Sequence, residues 1–309
     1  MTLIEKILGA SGSRRREGTR IETATLDIEL FDDGPRDGPV VLLLHGWPDD
    51  PSTWAEVSPT LNAAGFRTVA PYLRGFGGTR FRDTTTLRTG NSGILATDAV
   101  ELMDALDVGR FFVAGHDWGS NTAEALAVGW PDRVPKIAML STPSRLGGMP
   151  TPPFRQCQRQ WYHWFQATKR GAQAVHDDPK GFGRIMWDTW SPPGWYGEST
   201  FEAVAASWEN PDWADVTVHS YRARWDEAEP DPRSADLEAK IKATRQIDTP
   251  TIYISGSVDG VNPPEAITAV PKKFSGPFEA ILLDGVGHFP PREAPDEVAA
   301  ALIKHFDRG

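Results

Sequence analysis

Residues 111–120 read FFVAGHDWGS: an apolar run, a tight turn and the first residues of a helix, with Gly115 two places before Asp117 and Gly119 two places after it. That is the spacing of a nucleophile elbow, in which small flanking residues let a strained strand-to-helix turn hold one side chain proud of a parallel sheet. The N–H groups and dipole of the following helix favour negative charge at the turn, so Asp117 is expected to be ionised. An Asp in front of a helix also serves as a plain N-cap. The rest of the chain has to decide between the two readings.

Outward from the elbow, Val40–Leu44, Thr68–Pro71, Ile137–Leu140 and Thr251–Ser255 join Phe111–Ala114 as apolar runs of the buried-strand kind, with Ala280–Leu283 as a sixth. Helical signals lie between several of them. Asn91–Leu106 carries Ile94, Leu95, Ala99, Leu102 and Leu106 at three-to-four spacing, and Asn121–Val128 ends at the stop Gly129-Trp130-Pro131. This alternation predicts an α/β protein with a mainly parallel sheet covered by helices on both faces. Thr19–Phe31 alternates like half-exposed antiparallel strands, closed by DDGPRDGP at 32–39. From Leu146 to Arg245 the rhythm stops: eight of the twelve tryptophans and three of the five tyrosines fall there, with no buried-strand run. Because the βα pattern resumes at Thr251, residues 146–245 are expected to be an insertion between strands of one core made of 1–145 and 246–309.

Composition sets outer limits. The chain has 309 residues, 39% hydrophobic and 24% charged, the profile of a soluble globular protein. Its formal net charge of −10 gives no attraction to phosphate backbones, and the one basic run, Arg14-Arg15-Arg16, is short, so no nucleic-acid partner is expected. The lone cysteine, Cys157, reads as a free thiol in a reducing compartment. The N-terminal MTLIEKILGASGSRRR reads as a short amphipathic helix and a turn, since its arginines follow the apolar patch, the reverse of a signal peptide. No stretch approaches the roughly 20 apolar residues of a membrane span. A cytoplasmic protein with no membrane partner, monomeric or homodimeric, is the expectation.

Two further elements bear on Asp117. LLLHGWPDD at 42–50 is a strand ending in His45-Gly46-Trp47-Pro48, where the N–H of Trp47 is positioned to join that of Trp118 as an oxyanion hole. His45 itself reads as a structural hydrogen-bonding residue. At the other end of the chain, Asp259 follows one strand in SGSVDGVNPP and His288 follows the next in DGVGHFPPREAP. Reactive groups gather at the carboxyl ends of parallel strands, and Asp117, Asp259 and His288 stand past three such ends in the order nucleophile, acid, histidine.

With HGWP at 45–48, LRGFGGT at 73–79, GHDWG at 115–119, Asp259 and GHFP at 287–290, the sequence resembles the α/β-hydrolases that use an aspartate nucleophile: the epoxide hydrolases and the haloalkane and haloacetate dehalogenases. The resemblance implies an α/β-hydrolase fold in which residues 146–245 form a helical cap, with a cis Trp47-Pro48 bond and no metal or cofactor. It implies Asp117 as nucleophile, Asp259 as acid and His288 as base. A carboxylate displaces a leaving group at saturated carbon and makes an alkyl ester on the enzyme; water activated by His288 then attacks the carbonyl carbon of Asp117.

The leaving group must be assisted from the cap, in WYHWFQA at 161–167 and VHSYRARW at 218–225. In epoxide hydrolases two cap side chains hydrogen-bond the epoxide oxygen; Tyr221 fits one position, and His163, with Tyr162 as its alternative, fits the other. Haloacetate dehalogenases use a His-Trp pair and a tyrosine, which His163, Trp164 and Tyr221 would supply, but they also carry arginines one and four residues after the nucleophile to clamp a carboxylate. Here those positions hold Trp118 and Asn121. The expectation is an epoxide hydrolase forming a vicinal diol, with Trp47, Trp118 and Trp164 lining a pocket for an apolar or aromatic substrate. The alternatives are a haloalkane or haloacetate dehalogenase, and a ligand receptor on the same fold.

Overall fold

The computed structural model describes residues 18–268 and 270–307; the helix expected at the N-terminus lies outside them. The strands are β1 (Thr19–Glu22), β2 (Leu26–Asp33), β3 (Val40–Leu44), β4 (Arg67–Pro71), β5 (Arg80–Phe81), β6 (Phe112–His116), β7 (Ile137–Leu140), β8 (Thr251–Gly256) and β9 (Phe278–Leu283). Among the described residues they form one sheet in the order β1-β2-β4-β3-β6-β7-β8-β9, with β5 beside β2. The run from β4 to β9 is parallel, and β1 and β2 are antiparallel additions, as the alternation of Thr19–Phe31 predicts.

Every residue of β3 and of β7 is buried, which is why these strands read as continuous apolar runs. The helix at Ser92–Ala105 buries Ile94, Leu95, Ala99 and Leu102. It packs on Trp118–Gly129, while Val57–Ala63 packs on Pro295–Asp307, one pair on each face of the sheet. β9 departs from expectation. The strand forms, but none of its residues is buried and Leu282 is 46% exposed. It is the outer strand, so Ile281 and Leu283 pack on the core from one side while the other face meets solvent.

Strand order reverses between β3 and β6, because the chain goes from β3 to β4 on one side and later returns to β6 on the other. A crevice at the carboxyl ends of the strands follows from that reversal. Residues 146–245 leave the end of β7 and the chain re-enters at the adjacent β8, so they interrupt one sheet. Their helices are Phe154–Arg159, Trp161–Ala167, Lys169–Asp177, Pro179–Trp190, Glu198–Ala205, Trp213–Ala223 and Ala235–Ala243, the last packed on Ser92–Ala105 and Trp118–Gly129.

The tryptophans of the insert are chiefly packing residues. Trp187 Nε1 donates to the Pro48 carbonyl at 2.8 Å, and the Trp47 ring sits among Tyr162, Trp190, Trp213 and Tyr221 at centroid distances of 5.8, 5.8, 6.1 and 5.1 Å. Trp47 is the core's contribution to this cluster; its Nε1 donates to Thr217 Oγ1 of the insert at 3.1 Å. Among the described residues no helix is long and apolar enough to cross a membrane.

The LRGFGGT loop is fixed by Arg74, which is 1% exposed and bonds Asp98 twice at 2.6 Å. Burial raises the Asp98 carboxyl, and the guanidinium opposes that rise. Replacing Arg74 with Met strands a buried carboxylate and is expected to cost about 3–5 kcal/mol in urea denaturation. Adding Asp98→Leu should recover much of the loss; a single-variant cost below about 1 kcal/mol would contradict this assignment.

Candidate active site

Asp117 ends β6 with φ 50° and ψ −108°. A positive φ at a residue with a side chain costs about 1–3 kcal/mol and survives only where the surroundings enforce it. Here the start of helix Trp118–Gly129 crosses β3 at backbone contact: a Cβ on Gly119 would lie 2.3 Å from the Leu44 carbonyl oxygen, and one on Gly115 2.0 Å from that of Gly119. The turn is further pinned by the Asp117 N–H, which donates to the Leu140 carbonyl at 3.1 Å. The Asp117 side chain makes no capping bond to the helix it precedes, so the plain N-cap reading fails.

The carboxylate is 6% exposed and held from two sides. Oδ1 accepts the Trp47 N–H at 3.0 Å; Oδ2 accepts the Thr142 hydroxyl at 3.0 Å and lies 3.6 Å from His288 Nε2. The N–H of Trp118 makes no hydrogen bond to the carboxylate. His288 Nδ1 stands 2.9 Å from Asp259 Oδ2, and Asp259 Oδ1 accepts the N–H groups of Val261 and Asn262 at 2.7 and 2.9 Å. Asp117, His288 and Asp259 thus form one line of charge, each 6% exposed or less.

Burial by itself would lift the Asp117 carboxyl, but His288, 3.6 Å away, outweighs it and holds the group well below the usual carboxylate range. Burial by itself would lower His288; the charge of Asp259, then the nearby Asp117 carboxylate, push it up to about 10. The resting site is therefore an imidazolium between two carboxylates. His45 and His116 are different: burial takes both down to about 4, and their ring nitrogens serve the backbone. His45 Nε2 accepts the Leu73 N–H at 3.1 Å and its Nδ1 donates to the Gly46 carbonyl at 2.9 Å, while His116 Nε2 donates to the His288 carbonyl at 2.7 Å.

A small cavity of about 50 Å³ opens above Asp117, walled by Tyr162, His163, Tyr221, Arg145 and Arg224. It meets an outer vestibule of about 500 Å³ past Arg145, Met149 and Arg224, which line both. Burial, with the Asp117 charge adding to it, raises both tyrosines well above the usual phenol range, so each keeps its O–H. Burial drives His163 well below the usual imidazole range. Its Nδ1 accepts the Trp225 indole N–H at 3.1 Å, which leaves the proton of the neutral ring on Nε2.

All three candidate donors from the insert, Tyr221, His163 and Tyr162, are thus brought to one cavity with Asp117. The tryptophans fall elsewhere. The Trp47 ring stacks behind Tyr162 at 5.8 Å and 14°, Trp118 lies behind Tyr221 with ring centroids 5.7 Å apart, and Trp164 lines the outer vestibule against Trp225. Sequence reasoning missed Thr142, Ser141, Arg145, Arg224 and Trp225. Ser141 has φ 65°, its hydroxyl donates to the His288 carbonyl at 2.9 Å, and its own carbonyl accepts Asn262 Nδ2 at 2.9 Å. The signal for Ser141 and Thr142 is their place immediately past β7; for Arg224 and Trp225, one helical turn past Tyr221. Among the described residues no group of three His, Cys, Asp or Glu side chains is arranged to hold a metal ion.

The family model described as the alpha/beta hydrolase fold matches residues 39–295. The chain belongs to the alpha/beta hydrolase fold family. This hydrolase is 26% identical to epoxide hydrolase A of Mycobacterium tuberculosis, across 92% of its own length and 95% of the relative's. It is 29% identical to a fluoroacetate dehalogenase of a Burkholderia species, across 71% of each chain. A crystal structure from Klebsiella pneumoniae, provisionally named an epoxide hydrolase, superposes with a TM-score of 0.88 at 36% identity, covering 93% of this chain and 96% of that one.

The raised pKa of His288 has a consequence for stability. Because the folded value of about 10 exceeds the ordinary 6.5, the ion contributes its full stabilisation below about pH 6.5 and loses it as pH rises toward 10. The midpoint of urea denaturation should therefore fall across that interval, and the fall should be largely absent in His288→Gln. Equal pH dependence of the two proteins would show that His288 is not the group responsible.

Proposed function

We propose that this hydrolase converts epoxides to vicinal diols through an ester on Asp117. The observation that carries the reading is the confrontation, across one small cavity, of an ionised Asp117 with protonated donors of the insert. Asp117 Oδ2 attacks an oxirane carbon and the C–O bond of that carbon breaks. The departing oxygen takes a proton from Tyr221 and a hydrogen bond from His163 Nε2–H, giving a hydroxyalkyl ester. Water then adds to Cγ of Asp117 as its proton passes to His288, the oxyanion on Oδ1 being held by the Trp47 N–H, with that of Trp118 completing the hole. On collapse the expelled ester oxygen takes the proton held by His288 to complete the diol, and the water's second proton passes from the Asp117 acid to the Tyr221 phenolate, restoring the carboxylate and the phenol.

The charge state of His288 fits this sequence. In the resting enzyme it is an imidazolium and cannot accept a proton. Esterification removes the negative charge of Asp117, one of the causes that raise its pKa, and so frees the imidazole to act as base. Asp259 keeps the ring oriented through Nδ1.

Hydrolytic dehalogenation is the second reading. Trp118 Nε1 is buried without a hydrogen-bond partner among the described residues, as a halide donor would be, and a fluoroacetate dehalogenase is among the relatives. The epoxide reading is favoured because an alkoxide requires O–H groups that hold a proton to give, which Tyr221 and Tyr162 supply, whereas a halide requires no proton. A receptor without turnover would have no need of the charged line from Asp117 to Asp259.

With styrene oxide, His288→Gln should accumulate a mass adduct on Asp117. In the wild type the adduct trapped by acid quench should grow as pH falls from 9 to 5, since a protonated His288 stops hydrolysis while Asp117 stays ionised. An adduct that shrinks with falling pH would remove His288 from the second step. Tyr221→Phe and His163→Ala should each slow ring opening roughly 100-fold or more, with Tyr162→Phe less affected. The reverse order would make Tyr162 the partner of Tyr221. Halide release from chloroalkanes or fluoroacetate without diol formation from any epoxide would overturn the epoxide reading.

A further inference from the structure

Two arginines from different elements line both the inner cavity and the outer vestibule, together with Met149: Arg145 from the loop after β7, and Arg224 from the end of helix Trp213–Ala223. Neither is ion-paired to a carboxylate among the described residues. Arg224 Nε is buried without any hydrogen-bond partner, and its guanidinium lies 5.5 Å from the centre of the Tyr221 ring. Arg145 spends Nη1 on the Ser92 hydroxyl at 3.0 Å. Burial, then repulsion from Arg224, brings Arg145 down to about 10 against the opposing charges of Glu238, Glu124 and Asp226.

The acidic groups around the vestibule have other partners or face solvent. Glu238 accepts from Asn91 Nδ2 at 2.8 Å and the Gly93 N–H at 2.7 Å, and Asp226 pairs with Lys242 at 2.6 Å. Glu124 accepts the backbone N–H of Arg145 at 2.8 Å and is raised by burial to about 7, while Glu227 is exposed. Asp117, on the cavity floor, faces the His288 imidazolium.

Leaving a buried guanidinium donor unpaired costs on the order of 1–3 kcal/mol unless a ligand repays it. The cavity dimensions say what that ligand looks like. The inner cavity, about 50 Å³ against about 500 Å³ for the vestibule, has room for little beyond the reacting end of a substrate. A longer substituent that extends into the vestibule passes Arg145, Met149 and Arg224, which line both spaces.

We infer that this pair of guanidinium groups binds a carboxylate on the substrate, so that the epoxide this enzyme opens is an epoxy acid. The inference rests on the proposed epoxide chemistry and replaces the expected apolar or aromatic substrate, because the insert's tryptophans pack the fold and none lines the inner cavity. The clamp is built from positions other than the two after the nucleophile that Trp118 and Asn121 occupy. The planar fork of arginine suits two carboxylate oxygens, and two arginines shared by the cavity and the vestibule fix which end of the molecule enters first.

The test compares 6,7-epoxyheptanoate with its methyl ester and with 1,2-epoxyheptane. The acid should exceed the ester in kcat/KM at least 10-fold, and Arg145→Gln and Arg224→Gln should each bring the ratio of acid to ester close to one, whatever the absolute rates. A measurement on unaltered enzyme stands beside the variants: heptanoate should inhibit at least 10-fold more tightly than heptanamide. An ester turned over as well as the acid, or a ratio unmoved by both substitutions, or equal inhibition by acid and amide, would overturn the clamp while leaving epoxide hydrolysis intact. Diol from none of the three epoxides, together with halide release from fluoroacetate that the arginine substitutions abolish, would sink the epoxide chemistry and leave the clamp standing.

Discussion

The backbone at Asp117 is the constraint on which the site depends. A carboxylate at φ 50° at the end of a central strand is held there by close backbone contact of Leu44, Gly115 and Gly119, and by the bond of its N–H to the Leu140 carbonyl. The strain points the side chain out of the sheet, away from the helix N-terminus it would otherwise cap. It then meets the N–H of Trp47, the hydroxyl of Thr142 and the ring of His288, three groups that the neighbouring strand ends deliver to one point.

The charge pattern follows from that meeting. Buried ions persist only when paired, and here three ionisable groups share the burden, with the imidazole in the middle. The same fold keeps two other histidines, His45 and His116, as neutral struts of backbone within the same layer. What separates them from His288 is the company of the ring: backbone groups bond the first two, while a carboxylate stands on either side of the third. Ser141, with its own positive φ, ties the His288 backbone to Asn262 in the Asp259 loop, so the geometry of the acid and of the histidine is one structural unit.

The helical insert closes the crevice with aromatic packing and indole hydrogen bonds. Trp187 and Trp47 each bridge core and insert, one in each direction. That accounts for a tryptophan-rich segment in chemical terms: large flat side chains bury much area at small entropic cost, and the Trp187 indole N–H finds a partner across the seam. The polar character of the route to Asp117 comes instead from Arg145 and Arg224, whose positions in the sequence, after a strand and at a helix end, look ordinary.

Much of this protein was legible in the chain itself. The fold followed from apolar runs alternating with helical periodicity, because a parallel sheet buries both faces of its strands and leaves a continuous hydrophobic trace; β9 escaped that rule only in burial, being an edge. Asp117, Asp259 and His288 were visible because each follows a strand end, and strand ends converge in space whatever their separation in sequence. Side chains that meet across the insert were not. Whether Tyr162 or His163 faces the cavity depends on the rotation of a short helix, and both turn out to reach it; which tryptophans pack and which line a void depends on contacts between segments more than 100 residues apart. The convergence of Arg145 and Arg224 has no sequence signature, since nothing local ties a loop after β7 to a helix end in the insert. The sequence determined the nucleophile, its base and the sheet beneath them; the tertiary structure decided what surrounds the space above them, because that space is bounded by surfaces brought together only when the insert folds back over the strand ends.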